Sequence, residues 1–163
     1  VVLDKFVRWC ARRCPLRVIY CEGGEYLMRH YVFGDDGVLG HWPEGTKARL
    51  AWLPFVVYLH EFKQPDEDRD LHNHPWSTSY SLLLVGGYDE ERFVGDGVGV
   101  RKLGPGRVNV IRRDDYHRVV RLHGASTWTL FVTGKYVGTW GFRDRETRKY
   151  TVWSRYLRER GRL

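Results

Sequence analysis

Between residue 17 and residue 141 the chain is a succession of short runs rich in Val, Ile, Tyr, Trp and Thr, each cut off by glycine, proline or aspartate. Side chains of these types fit a pleated, half-buried surface. Runs of this length bounded by turn formers read as strands. The candidate strands are 26–33, 55–62, 78–85, 88–94, 98–103, 108–111, 117–122 and 128–133. The breakers between them are Asp35-Asp36-Gly37, Gly86-Gly87, Gly95-Asp96-Gly97, Gly104-Pro105-Gly106 and His123-Gly124. Gly86-Gly87 between two apolar runs has the pattern of a tight hairpin, because a primed turn needs positive φ. Strands this short, this numerous and this regularly punctuated imply an all-β sandwich or barrel.

Both ends depart from that pattern. At residues 1–15, Leu3, Phe6, Val7, Cys10 and Cys14 recur at helical spacing, which predicts an amphipathic helix packed on the barrel. Asp4 suits its start, Arg8, Arg12 and Arg13 suit its later turns, and Pro15 ends it. At the other end, Val152, Trp153, Tyr156 and Leu157 form an apolar stripe within 147–163, which predicts a short closing helix. The barrel itself is expected over 17–142, and the 163 residues as one domain.

The charge is +7, from 27 Lys and Arg against 20 Asp and Glu. A basic surface attracts anions of several kinds, but the arginines are dispersed and form no polybasic block, so nucleic acid is a minor expectation. Cys10, Cys14 and Cys21 have no zinc-pair spacing and read as free thiols in a reducing cytosol. The first residues lack a continuous apolar stretch of the signal-peptide kind, and no run is long enough to span a bilayer. The expectation is a soluble, cytoplasmic protein with no membrane partner.

The most informative stretch is Asp70-Leu71-His72-Asn73-His74-Pro75-Trp76. On an extended strand, residues two apart project from the same face, so His72 and His74 present their imidazoles together. Pro75 ends the strand and places the pair near its end, where a barrel pocket opens. Two imidazoles so placed suit Fe, Mn, Ni or Zn. A third ligand should come from a neighbouring strand, and His117, which opens a strand after the polar turn Arg112-Arg113-Asp114-Asp115, is the candidate.

These residues resemble the cupin superfamily. Its first motif is HxH followed by a Glu and then a Gly; here His72-Asn73-His74 is followed by Ser79 and Gly86. Its second motif contains PxG and ends in a His; here Gly104-Pro105-Gly106 precedes His117 at a longer interval than usual. The resemblance runs from about Phe55 to Phe142. The chain is also similar to small phage and bacterial cupin-like proteins with LHxHPW, GGY, HR and WGF landmarks, which stand here at Leu71, Gly86, His117 and Trp140. The resemblance implies a jelly-roll barrel, one divalent metal ion, Fe(II) first and Mn, Ni or Zn otherwise, and a homodimer.

Ser79 stands where the family places its Glu ligand. Either the site uses three histidines alone, resembling the thiol dioxygenases, or a carboxylate enters from the next strand, with Glu90 the candidate. His60 is a candidate fourth nitrogen ligand, or a hydrogen-bonded histidine of the barrel. Asp70 is a candidate to orient His72 through its second ring nitrogen. Arg121, by strand parity with His117, and Arg29 are candidates to orient a carboxylate or phosphate of the substrate. Trp76, Tyr80, Tyr88 and Trp128 are candidate pocket walls; His30, His41 and His123 have no pattern. There is no GxSxG, P-loop or helix-opening GxGxxG. Three functions remain: a metal-dependent oxygenase acting on a small, polar, anionic substrate; a non-catalytic small-ligand module; and a nucleic-acid-associated protein.

Overall fold

The computed structural model describes residues 2–35 and 42–163. Val1 of the expected first helix, the Asp36-Gly37 part of one breaker and His41 lie outside the described residues. After helix α1 (Val2–Ala11) come β1 (Leu16–Cys21), β2 (Gly24–Phe33), β3 (Val57–Phe62), β4 (Leu71–His72), β5 (Thr78–Val85) and β6 (Tyr88–Val94). Then follow β7 (Gly97–Leu103), β8 (Val108–Arg112), β9 (His117–Leu122), β10 (Thr127–Thr133), β11 (Gly141–Arg143), β12 (Tyr150–Val152) and helix α2 (Trp153–Arg158).

Among the described residues the strands form two six-stranded antiparallel sheets, ordered β1-β2-β3-β10-β5-β8 and β12-β11-β4-β9-β6-β7. From β3 to β10 the pairing is nested. β6 pairs with β7, β5 with β8, β4 with β9 and β3 with β10. This is one long hairpin rolled so that alternate pairs fall in opposite sheets, which is the expected jelly roll. The innermost turn is Gly95-Asp96, with Gly95 at φ +55°. β1 and β2 widen the first sheet, and β11 and β12 widen the second.

Every residue of β3 from Val57 to Glu61 is buried because both faces of that strand are covered. Tyr58, His60 and Phe62 face the interior, where they meet other aromatic rings. Leu59 lies under α1 with Val7, Ala11 and Trp128. Glu61, on the same outer face, is held by Arg8 at 3.2 Å and Lys63 at 2.9 Å. The row that α1 buries is Val7 and Ala11, with Cys10 against it. Leu3 and Phe6, expected in that row, are 50% and 58% exposed, and the helix stops at Ala11, four residues before Pro15.

Two aromatic-rich clusters fill the interior. Tyr31, Val56, Tyr58, Trp76, Ile111 and Phe131 form one; Leu83, Tyr88 and Val119 form the other. Residues from both line a cavity of about 70 Å³. The C-terminal segment is part strand, not all helix: β12 extends the second sheet, and α2 follows directly. From α2, Tyr156 stacks on Phe142 at 3.8 Å and donates to Asp70 at 3.1 Å. No helix among the described residues is long and apolar enough to cross a membrane.

Gly86-Gly87 is not a hairpin. β5 and β6 belong to different sheets, so the pair turns the chain from one sheet to the other. Gly86 has φ +75°, and a Cβ there would meet the Ser126 carbonyl oxygen at 2.7 Å; a Cβ on Gly87 would meet the Leu103 carbonyl oxygen at 2.5 Å. Close approach of backbones at a barrel corner, rather than a primed turn, requires both glycines. Gly86→Ala combines a left-handed conformation with a steric clash, and is expected to destabilise by about 2–3 kcal/mol. Gly95→Ala, at a position with open space around it, should cost only about 1 kcal/mol. Urea denaturation of the two variants checks this, and equal losses would contradict the corner assignment.

Candidate metal centre

Three strands of the second sheet bring the histidines together. β4 is two residues long, and His72 is the residue by which it pairs on both sides, with His117 of β9 and with Phe142 of β11. Beyond β4 the chain is held by Asn73. Its amide nitrogen donates to the Arg113 carbonyl at 2.9 Å, its side-chain oxygen accepts from the Gly141 backbone at 2.9 Å, and its own backbone N–H donates to the Gly141 carbonyl at 3.1 Å. The clamp keeps residues 72–74 extended, so His74 projects to the side His72 does. Ring centroids are 5.3 Å apart for His72 and His74, 4.9 Å for His72 and His117, and 5.1 Å for His74 and His117.

One nitrogen from each ring lies within 4.8 Å of the other two, which places the three histidines to hold a metal ion. His74 Nε2 and His117 Nε2 are 2.9 Å apart. Two nitrogens bound at about 2.1 Å in adjacent positions of one ion have nearly that separation, so this pair is spaced as ligands of a first-row divalent metal, and His72 offers the third nitrogen.

Glu90 fixes the orientation of His117. Its Oε1 lies 2.7 Å from His117 Nδ1. A carboxylate only accepts, so Nδ1 carries the proton and Nε2 turns its lone pair towards the other rings. Glu90 is fully buried on β6, beside β9, where Arg92 reaches it at 2.8 Å, Asn109 at 2.6 Å, and Arg101 also pairs with it. Burial alone would raise its carboxyl, but His117, Arg92 and Arg101 outweigh burial and hold it well below the ordinary carboxylate range. Burial lowers His72 from 6.5 to about 4, with His117 adding to the effect against the opposing carboxylate of Asp66. Burial, His117 and His72 hold His74 well below the usual imidazole range. Both rings are therefore neutral near pH 7 and have lone pairs to offer.

Glu90, expected as a candidate ligand, thus sits behind His117 instead of among the donors. Asp70, expected to orient His72, does not reach its ring; the carboxylate that holds a ring of the cluster is Glu90, on His117. Asp70 is turned towards the C-terminal segment, where Tyr156, Arg69 and Arg160 take its oxygens. β4 is too short for strand parity to carry from His72 back to residue 70. His60 lines the cavity but lies outside the three-histidine cluster, and its Nε2 faces Arg29 Nε at 3.1 Å. Arg121, expected to point inward, is 68% exposed and paired with Asp89 at 2.6 Å. The cause is a bulge: Glu90 pairs with Val119 but Asp89 pairs with Arg121, so Val120 is an extra residue and the alternation inverts. Arg29 does line the cavity.

Trp76 and Tyr88 are cavity walls as expected, whereas Tyr80 is 47% exposed and Trp128 lies under α1. Ser79 is buried opposite Ile111 and Thr133, outside the cavity lining, and supplies no ligand. His30 stacks on Trp128 at 5.7 Å and His123 pairs with Asp89 at 2.7 Å. Sequence reasoning missed Tyr26 and Asp66, which also line the cavity and hydrogen-bond each other. It also missed Asn109, whose signal was a lone amide between two valines of a strand.

No protein-family model matches the chain, and no curated protein matches its sequence. Among solved structures, Fe(II)-HppE with the alternative substrate (S)-1-HPP is similar, with a TM-score of 0.52 and 11% identity over 76% of this chain and 57% of that one. FeII HppE in complex with substrate gives the same values. A cupin superfamily protein from Desulfitobacterium hafniense DCB-2 has a TM-score of 0.39 and 14% identity over 50% of this chain and 67% of that one. The chain spans 57% of the length of the HppE structures. At such identities the likeness is one of fold, and the nested pairing of the strands makes that fold a jelly roll.

Two outcomes follow from this geometry. The unfolded chain takes up protons on its histidines near pH 6.5, whereas folded His72 waits until about 4 and folded His74 is likewise held well below the usual imidazole range. The unfolded state therefore binds more protons in between, and stability of the metal-free protein falls as pH drops from 6.5 towards 4. His72 alone contributes on the order of 3 kcal/mol at most, less in so far as its ring meets solvent. Urea midpoints measured across that window check the slope, and His72→Gln should flatten it. Separately, Glu90→Gln keeps the shape but removes the charge behind His117, and should weaken metal affinity about 10–100-fold with the circular dichroism spectrum unchanged. Competition with a coloured chelator measures it.

Proposed function

We propose that this cupin-fold chain binds one divalent metal ion through His72, His74 and His117, and that it is a metal-dependent oxygenase acting on a small polar substrate held in the adjoining cavity. The observation that carries the reading is the convergence of three imidazoles with donor atoms within 4.8 Å of one another, one of them pre-oriented by a buried carboxylate. Imidazole suits iron, manganese, nickel and zinc, and Fe(II) is our first assignment. HppE, which shares the fold, is named as an Fe(II) protein that takes a substrate. Fold alone does not transmit activity, so the reading rests on the histidines.

Three protein donors leave coordination positions to water and substrate, the feature that separates catalytic from closed structural sites. Bound Fe(II) would supply the redox chemistry needed to activate dioxygen. The chain's own residues do the rest. Glu90 keeps the proton of His117 on Nδ1. Phe131, Trp76 and Ile111 make the walls apolar and exclude water. Room of about 70 Å³ admits a substrate of few heavy atoms.

A second reading, a metal-free barrel that binds a small ligand, is favoured by one contact. His74 and His117 are close enough to hydrogen-bond each other at 2.9 Å, which satisfies both rings without an ion. Metal analysis of the purified, untagged protein separates the two. The first reading expects near-stoichiometric iron or manganese, lost in His72→Ala and in His117→Ala, together with oxygen consumption on a substrate panel. Wild-type protein that neither contains metal nor takes up added Fe(II), Mn(II) or Co(II) would overturn it.

A further inference from the structure

Arg29 enters the interior from the sheet opposite His72 and His117. It lies on β2 and is paired in register with His60 of β3. Its Nε–H donates to His60 Nε2 at 3.1 Å. A guanidinium has no acceptor, so this contact requires the lone pair of His60 to be on Nε2. The imidazole is itself fixed. It stacks on Tyr58 at 5.4 Å and 13°, and on Phe131 at 5.0 Å and 26°. The guanidinium carbon rests 4.9 Å from the Tyr58 ring centre.

With Nε engaged, the fork of two terminal nitrogens is what Arg29 presents to the cavity. No hydrogen bond or ion pair with a described residue engages them. Arg92, which also reaches inward, is treated differently: it is paired with Glu90 and Asp115. A half-buried guanidinium whose fork no described residue engages, on the wall of a cavity that also carries three convergent imidazoles, matches the planar two-oxygen edge of a carboxylate.

The cavity constrains the rest of the ligand. A water needs about 10–15 Å³ of such space, so about 70 Å³ holds roughly half a dozen heavy atoms. Asp66 is also on the wall, where it accepts from Tyr26 and from the Val119 backbone. Its negative charge disfavours a dianion and leaves room for one anionic group.

We propose that the substrate is a small monocarboxylic acid whose carboxylate sits on the Arg29 fork, and that His60 is a positioning residue that aims this fork. The proposal rests on the reading that this cavity is the substrate site, but the carboxylate contact itself needs no metal.

The test uses the full-length protein, metal-loaded and chelator-treated, with propionate and its neutral isostere propionamide as probes in NMR titrations. Wild type should bind propionate saturably and propionamide far more weakly. Arg29→Met should weaken propionate binding by about tenfold or more, the effect of losing a charge-assisted pair, with metal content and circular dichroism unchanged. His60→Phe keeps the ring stacking but removes the acceptor, and should weaken propionate binding several-fold. His60→Gln, which restores an acceptor oxygen, should recover most of it, as a merely structural role would not. Equal binding of the two probes, binding of neither, or unchanged binding in Arg29→Met overturns the proposal. The wild-type probe comparison decides it even if a variant fails to fold. Metal-loaded protein whose propionate binding ignores Arg29 sinks this proposal and spares the metal reading. Metal-free protein with Arg29-dependent binding does the reverse.

Discussion

The candidate site depends on a single antiparallel pair, His72 of β4 facing His117 of β9. Residues directly opposite each other across an antiparallel ladder have Cβ atoms about 5 Å apart, near enough for two imidazoles to share one ion. Only a roll makes those strands neighbours. In a nested hairpin the second strand must return beside the next-to-last, so histidines far apart in sequence become adjacent. The same nesting lays β6 along the other edge of β9 and delivers Glu90 to the back of His117. Because β4 contributes only two residues, its position depends on others: Asn73 ties it to Arg113 and Gly141, and Phe142 pairs with His72 from β11.

The strands legible in the sequence are those with one wet face or a long run. β5, β6 and β9 have the bounds that residue type and breakers indicate. The ones that escaped are β1, at a sheet edge, and β11 and β12, of three residues each, while β4 was legible only through its alternating histidines. Strands so short carry no periodicity, and their pairing is decided by neighbours that are remote in sequence. Gly86-Gly87 misled for a related reason. A glycine needed for a left-handed turn and one needed for close backbone approach look the same in sequence. The difference lies in whether the flanking strands share a sheet. On α1, spacing picked out the apolar residues but not which of them the sheet would cover. Val7 and Ala11 are buried, while Phe6 stays exposed and stacks on Trp9.

The three histidines were legible because alternation over two residues survives in any extended segment. The residues around them were less so. Arg121 shares parity with His117 on paper, but one bulge at Val120 inverts the alternation, and bulges leave no fixed mark in composition. Glu90 was visible as a carboxylate near the site, yet its rank, donor or partner of a donor, depends on which side of His117 it reaches. His60 and Arg29 each read ambiguously alone. Their meaning comes from being opposite each other in register, which is a property of two strands and not of either sequence.

The distribution of charge ties these elements together. The chain is strongly basic, but His72 and His74 are held neutral by burial, and the fully buried carboxylate of Glu90 is met by Arg92, Arg101, Asn109 and His117. Burying an ion pair gains little stability in itself. Removing any member, however, leaves the others desolvated and unpaired, so the network resists rearrangement. Its members lie on β6, β7, β8 and β9, which are hydrogen-bonded elements rather than loops, and this is the condition under which a site keeps its geometry. The cavity wall on the other sheet is built to the opposite rule: Arg29 is oriented by the His60 ring, and no described residue takes its two terminal nitrogens. One wall is tied into a hydrogen-bonded network through Glu90 and His117, whereas on the other no described residue engages the Arg29 fork, and that asymmetry is what the proposed carboxylate contact would resolve.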